Sequence, residues 1–347
     1  MLTCSFCERL GAHSCAGYPD VLVFSESQLG CAAALFVPRI TRLFHVARSL
    51  FIGLDVGGSK TELLAACSST DEPARLTGPG ANAQRLGLEA TAQTLTDLIQ
   101  RALHRHPDCE LAAVCAGIAG AGRTDDQEVL TQHLLRKLDL SPAPHIQIVH
   151  DAHIALEAAF KGGSGVVVIV GTGSVVFGRT RDNQLERTGG WGYLLGDEGS
   201  GFGLGQAGLR AVAHALDGGP DTVLRARVAE QHGLDNRDDI IHQVYQHEWP
   251  LQDVAPLVIR AATEGDAVAS GIVDRHTHQL AQQVGWLVER CTDIEPRVAL
   301  LGGLSSETPY ARVLRAALYN ELPGWAVEVV QQRPVVGALH LAARAPA

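Results

Sequence analysis

The feature that most restricts this chain is a repeat. A short apolar strand, a turn built of Gly, Ser and Thr, and a return strand occur twice, roughly one domain apart. The first copy runs from an apolar strand at residues 50–55 through Val56-Gly57-Gly58-Ser59-Lys60-Thr61 to a strand at 62–67. The second runs from 165–170 through Gly171-Thr172-Gly173-Ser174 to 175–179. Glycine lets the backbone turn tightly and approach an oxygen ligand, so successive N–H groups can point at a phosphate. Two halves facing each other across a cleft would offer two such sets of amides to one polyphosphate. Neither turn is a GxxxxGK[ST] P-loop or a GxGxxG dinucleotide turn. Either alone fits an ordinary hairpin, and the pairing favours phosphate.

Helices and strands alternate around these hairpins, as in α/β folds. Leu88, Ala92, Leu95, Ile99 and Ala102 recur at spacings of 4, 3, 4 and 3, which predicts a helix over 84–104 packed on a sheet. A strand (111–116), a glycine-rich bend (117–122), a helix (126–138) and a strand (146–150) ending at Asp151 follow. Beyond the second hairpin, helices are expected at 202–216, 251–264 and 267–291. A strand at 297–301 ends in Gly302-Gly303, and a short helix at 335–344 closes the chain. The 347 residues, 46% of them hydrophobic, suffice for two domains that each bury a core.

Charge and hydropathy exclude several roles. The formal net charge is −10 and there is no Lys/Arg-rich run, so the long-range field repels nucleic acid and anionic membranes. The longest apolar stretches, such as 166–170 and 31–37, fall far short of the roughly 20 residues that cross a bilayer. Eight scattered cysteines without a signal peptide read as reduced thiols of a cytoplasmic protein. Residues 1–49 hold four of them, Cys4, Cys7, Cys15 and Cys31, and have no sustained period. A zinc reading of Cys4-x-x-Cys7 lacks its second ligand pair, and a targeting reading of Arg39, Arg42 and Arg48 is no stronger. The expectation is an irregular extension from a misassigned start. Met1 is the only methionine, initiation is expected near residues 46–50, and a chain starting at Leu50 is expected to be active.

Three constellations carry chemistry. In the first, Gly57, Gly58, Ser59, Lys60 and Thr61 supply amides and hydroxyls for phosphate, and Asp55 at the strand end can hold Mg²⁺ through a water shell. In the second, Asp151 stands where an apolar strand meets a helix. That setting suits a carboxylate that accepts a proton from an alcohol, and it equally suits a helix N-cap. His150 reads as a packing or hydrogen-bonding neighbour. The third is the loop 189–201, with six glycines, Trp191, Tyr193, Asp197 and Glu198. Acids accept hydrogen bonds from vicinal hydroxyls and an aromatic face can cover a sugar ring, so polyol recognition is its natural use.

These motifs, with Gly117-Ile118-Ala119-Gly120, Asp151-Ala152 and Leu301-Gly302-Gly303, make the chain resemble the N-acetylglucosamine kinase and BadF-type ATPase family, in order from residue 50 to the end. The resemblance implies a two-domain actin/hexokinase-like (ribonuclease H-like) fold with a central cleft. One lobe would be 50–161, completed by a C-terminal helix at 335–345, and the other 162–334. It implies an ATP-dependent kinase of an amino sugar, N-acetylglucosamine or glucosamine, with Asp151 as catalytic base and Mg²⁺ near Asp55. Gly57 to Thr61 would grip phosphates from one side and Thr172, Gly173 and Ser174 from the other, while Gly302 and Gly303 would lie against adenosine. Asn82, Gly189, Gly190, Trp191 and Asp197 match the family's sugar ligands, and a homodimer through the second lobe is implied. His150 departs from the Thr or Asn frequent in relatives. Two rivals are an activator ATPase with an iron–sulfur cluster and a sugar-responsive transcriptional regulator. The core cysteines show no cluster-like pairing, and residues 1–49 are not a basic helix-turn-helix arm.

Overall fold

The computed structural model describes residues 48–67, 72–118, 124–305 and 308–345. The chain divides into a unit Met1–Ala47 and a unit Arg48–Ala347. The expectations for Cys4, Cys7, Cys15 and Cys31, and for residues 119 and 120 of the glycine bend, fall outside the described residues.

Two five-stranded mixed sheets frame this unit. The first contains β1 (Arg48–Val56), β2 (Lys60–Ala66), β3 (Ala74–Pro79), β4 (Cys109–Ile118) and β5 (His145–His150), in the order β3-β2-β1-β4-β5. The second contains β6 (Gly165–Val170), β7 (Ser174–Arg179), β8 (Leu185–Gly189), β9 (Arg297–Leu301) and β10 (Ala326–Val329), in the order β10-β9-β6-β7-β8. In both, the strand before the glycine turn pairs antiparallel with its return strand and parallel with a later one. The sequence repeat has thus become a repeat of topology.

The first half also carries α1 (Ala83–Leu86), α2 (Leu88–Arg105), α3 (Thr124–Leu138) and α4 (Asp151–Phe160). The second carries α5 (Gly201–Leu216), α6 (Leu224–His232), α7 (Arg237–Gln246), α8 (Ala255–Thr263), α9 (Ala267–Arg290) and α10 (Pro309–Glu321); the chain then returns to the first sheet as α11 (Pro334–Ala343). The stripe read from the sequence is the buried face of α2, where Ala92, Leu95, Ile99 and Ala102 are all inaccessible. Helix α9 starts where the Asp266 side chain accepts the Ala269 N–H, which satisfies one of the orphan donors of a first turn.

Helix α4 bridges the two sheets. Its Ala152, Ala155 and Leu156 pack on Val167, Phe177 and Leu301 of the second sheet. Its Ile154 packs on Ala113, Cys115, Ala338 and Ala342 of the first sheet and α11. Ile154 and Leu156 are fully buried, and each contributes about 1.5–3 kcal/mol through removal from water. Helix α11 lies so close to β1 that a Cβ on Gly53 would sit 2.2 Å from the Leu339 backbone nitrogen. Glu157 of α4, 1% exposed, is paired with Arg344 at 2.8 Å and Arg179 at 3.5 Å. One carboxylate therefore ties the bridge to the C-terminal segment and to β7.

Several expectations are corrected. β1 begins at Arg48, two residues before the expected start, because Arg48 and Ser49 pair with Cys109 and Glu110. The helix expected over 84–104 is broken at Gly87 into α1 and α2. Cys67 and Cys109 form a disulfide, so these two are not the reduced thiols expected; Cys115 and Cys291 are free. The cause is topological: β1 brings the end of β2 and the start of β4 to the same end of the sheet, with Cα atoms 6.7 Å apart despite 42 residues of separation. No helix among the described residues is long and apolar enough to cross a membrane.

Candidate active site

The parallel strands β1, β4 and β5 end together, with Val56 opposite Ile118 and Ile118 opposite His150. Ligands of open α/β sheets bind outside such carboxyl ends. Asp55 is the penultimate residue of β1, and Asp151 is the first helical residue after β5. Asp151 is not the N-cap: His150 caps α4, its Nδ1 accepting the Ala152 N–H at 3.1 Å. That nitrogen also lies 2.6 Å from Asp151 Oδ1. Oδ1 itself is shielded from solvent beside this ring. The His150 ring rests on Phe177 of the second sheet, centroids 5.1 Å apart.

Burial first, then the charges of Asp151 and Glu62 against that of Lys60, together push the Asp55 carboxyl up to about 6. Glu62, opposite Asp55 in the hairpin register, is held by Arg75 and Arg333, each at 2.7 Å. Asp55 is therefore a buried carboxyl within electrostatic reach of two others, Asp151 and Glu62, with Lys60 opposing them. That is the environment a hard divalent cation with oxygen ligands relieves.

The first glycine turn is closed by the Gly57 N–H donating to the Lys60 carbonyl at 3.0 Å. Gly58, Ser59 and Lys60 are exposed. A second loop lies across it: the Ala81 N–H donates to the Gly57 carbonyl at 3.1 Å, and a Cβ on Gly80 would sit 2.1 Å from the Gly58 oxygen. Asn82 follows and caps α1, its Oδ1 accepting from the Arg85 N–H at 3.3 Å. Thr61 corrects the expectation of a phosphate donor. It is fully buried and its hydroxyl donates to the Pro79 carbonyl at 2.8 Å.

The second turn is one residue tighter and is braced by α5. The Gly171 N–H donates to the Gly173 carbonyl at 2.9 Å, and the first amides of α5, from Gly201 and Phe202, donate to the Gly171 and Thr172 carbonyls at 2.8 and 3.0 Å. Thr172 is exposed. Ser174 is buried, its hydroxyl donating to the Glu198 carbonyl at 2.7 Å, so its side chain is structural too. Asp197 reaches back to this turn, Oδ1 accepting from the Ser174 N–H at 3.1 Å, and burial raises its carboxyl above the ordinary value. Gly189 and Gly190 have φ of 71° and 67°, a left-handed pair that turns the chain out of β8. Trp191, Tyr193, Leu194 and Leu195 then stand exposed, with the Arg187 guanidinium over the Trp191 ring.

At the corresponding end of β9, Gly302 has φ 103° and a Cβ there would sit 2.2 Å from the Val170 carbonyl oxygen. Gly302 and Gly303 thus continue from the strand beside β6, and the Leu304 N–H donates to the same oxygen at 3.2 Å. Next to them opens a cavity of about 410 Å³ lined by Leu304, Thr308, Pro256, Ile259, Arg260 and Thr263. The sequence reading did not foresee its α8 wall, although Pro256, Ile259 and Thr263 follow helical spacing. The sequence-predicted residues fall into two groups, one at each sheet, with α4 and Asp151 between the sheets.

The sequence model of the BadF/BadG/BcrA/BcrD ATPase family matches residues 52–342. A curated N-acetylmuramic acid/N-acetylglucosamine kinase of Clostridium acetobutylicum is 32% identical over 270 residues, 75% of this chain and 86% of its own. The N-acetyl-D-glucosamine kinase of Dictyostelium discoideum is 31% identical over 243 residues, 66% of this chain and 76% of its own. Among solved structures, a candidate N-acetylglucosamine kinase of Chromobacterium violaceum has the same fold, with a TM-score of 0.63 at 24% identity over 84% of this chain and 98% of its own.

Proposed function

On the premise that the chain belongs to the BadF/BadG/BcrA/BcrD ATPase family, we propose that it transfers the γ-phosphoryl group of ATP to a hydroxyl of an amino sugar, N-acetylglucosamine first. The named activities of the two curated relatives support the substrate. The observation that carries the reading is Asp151, whose Oδ1 is buried beside the His150 ring and which begins the helix joining the two glycine-turn sheets.

In this reading the exposed amides near Gly58 and Ser59 and those near Thr172 and Gly173 take phosphate oxygens, Lys60 adds charge, and the cavity beside Gly302 and Gly303 takes adenine. Asn82, Gly189, Gly190, Trp191 and Asp197 face the sugar. Asp151 accepts the proton of the attacking hydroxyl as that oxygen bonds to phosphorus, and most of the rate comes from positioning and charge neutralisation. Asp55 is the residue that would hold Mg²⁺, which neutralises phosphate charge when bound. The lobes are taken as 50–161 with the 335–345 helix, and 162–334. A homodimer through the second lobe and a cytoplasmic location belong to the same proposal. The exposed Trp286 and Tyr319 on α9 and α10 are suited to the dimer contact.

The iron–sulfur alternative has little to draw on among the described residues. Cys67 and Cys109 have neither Cys115 nor Cys291 within ligand distance, and burial pushes the Cys115 thiol up to about 12, away from the thiolate a cluster needs. A coupled ADP-release assay with Mg²⁺ and ATP across N-acetylglucosamine, glucosamine, N-acetylmuramic acid and glucose tests the proposal. Saturable ADP release that depends on an amino sugar is expected. No sugar-dependent release from folded protein would refute it.

A further inference from the structure

The end of the first sheet opposite to Asp55 carries a second cluster of reactive side chains. Cys67 follows β2 and Cys109 opens β4, on either side of the start of β1. His106 is the C-cap of α2, and the Cys109 N–H donates to its carbonyl at 3.1 Å. His106-Pro107-Asp108-Cys109 is therefore a closed turn that brings two potential metal ligands together at the x₂ spacing of a metal knuckle. His106 Nδ1 lies 3.7 Å from Cys67 Sγ, and one ligand atom from each of Cys67, His106 and Cys109 falls within 4.8 Å of the others.

We propose that these three residues form a Cys₂His zinc site when the cysteines are reduced, the Cys67–Cys109 disulfide being the metal-free form. With Zn–S near 2.3 Å and Zn–N near 2.0 Å, tetrahedral ligand atoms stand about 3.5–3.8 Å apart. The His106–Cys67 separation already matches this. The two Cα atoms, 6.7 Å apart, are at the wide end of what a disulfide spans, which gives the sulfurs room to part around an ion without moving the strands. His106 Nε2 makes no hydrogen bond; with the ion on Nδ1 it would carry the ring proton. Water completes the coordination.

The two states interconvert by a balanced step. Hydrogen peroxide takes two electrons from the two thiolates and two protons from solvent and leaves as two waters; the S–S bond forms and Zn²⁺ is released. A dithiol or phosphine reverses the sulfur chemistry. β1 separates this cluster from Asp55 by roughly 23 Å, seven residues of strand. The ion therefore acts on the clamp between β2, β4 and the end of α2, and turnover is unaffected.

The test is a Co²⁺ titration of the full chain after phosphine reduction, run on the wild type and on the Cys4→Ser/Cys7→Ser/Cys15→Ser/Cys31→Ser variant. In the four-serine variant one Co²⁺ per chain should give thiolate charge-transfer and tetrahedral d–d bands, displaced by Zn²⁺ and abolished by prior peroxide treatment. Cys67→Ser/Cys109→Ser should remove the bands. His106→Asn, which keeps the disulfide for folding, should shift the d–d bands and weaken binding roughly tenfold or more. Zn²⁺ should raise the Tm of reduced but not of oxidised protein, as a ligand of the native state must. A reduced four-serine variant without thiolate–cobalt bands, or a His106→Asn chain that titrates like wild type, overturns the proposal.

Discussion

The carboxylate of Asp197 accepts the backbone N–H of Ser174 at 3.1 Å, so an acid from the glycine-rich loop holds the second glycine turn in place. Asp197 itself has φ 65°, a conformation that Asn tolerates and Ala does not. Asp197→Asn should therefore fold with near wild-type stability. Asp197→Ala strands a buried amide, which costs about 1–3 kcal/mol. In urea melts and initial-rate assays, the Ala variant should lose stability and show a raised KM for ATP as well as for sugar. An unchanged KM for ATP would mean that the loop and the turn are not coupled.

Replacement of Asp151 separates catalysis from structure. The N-cap of α4 is made by His150, and its packing by Ala152, Ile154, Ala155 and Leu156, so Asp151→Asn should not lower the melting temperature, and relief of the repulsion on Asp55 should raise it slightly at neutral pH. Its turnover should fall roughly 10²- to 10⁴-fold, the usual worth of a positioned base. Near-normal kcat in the Asn variant would remove Asp151 from the role.

Asp55 links pH to stability with a definite sign. Its carboxyl rises from 3.8 unfolded to about 6 folded, chiefly through burial. The folded state thus binds more protons between those values, and stability is lost as pH rises through them, by about 3 kcal/mol at neutral pH. Asp55→Asn should be more stable than wild type at pH 7.5, with the gap closing towards pH 4 in parallel thermal melts. The same variant should be nearly inactive at every pH, and wild-type kcat/KM should fall below pH about 6 as Asp55 takes up its proton. An Asn variant with no stability advantage at pH 7.5 would contradict the assignment.

Gly80 is placed to test the first turn. A Cβ there would meet Gly58 backbone atoms at 2.1 and 2.4 Å, and rigid backbone cannot yield as a side chain would. Gly80→Ala should cost about 1–3 kcal/mol in chemical denaturation. It should also raise KM for ATP more than KM for the sugar, because the displaced segment is the phosphate turn.

What the sequence disclosed follows from how each segment is buried. β6 and β9 were legible to the residue, since buried strands read as unbroken apolar runs bounded by glycine or charge. β8, with Glu186 and Arg187 within five residues, and β3 are edge strands, whose mixed composition carries little signal. α6 and α7 bury few residues and so lack a stripe to find. α10 is different: Thr308 caps it, Pro309 follows, and Tyr310, Leu314 and Leu318 recur at spacings of four, a signal that was available. At the site, glycine turns and strand-end carboxylates were visible as local patterns. The buried hydroxyls of Thr61 and Ser174 were not, because their partners, Pro79 and Glu198, are 18 and 24 residues away. The Cys67–Cys109 bond was hidden for the same reason, since it depends on which strands flank β1.

The return of α11 to β1 and α4 sets an order of events during synthesis. The first sheet is translated early, yet the surface that covers Gly53 and Ile154 is made of Leu339, Ala338 and Ala342, which leave the ribosome long after it. Until they emerge, the strands that bear Asp55 and the helix that begins with Asp151 have one bare face, and α11 is what seals it.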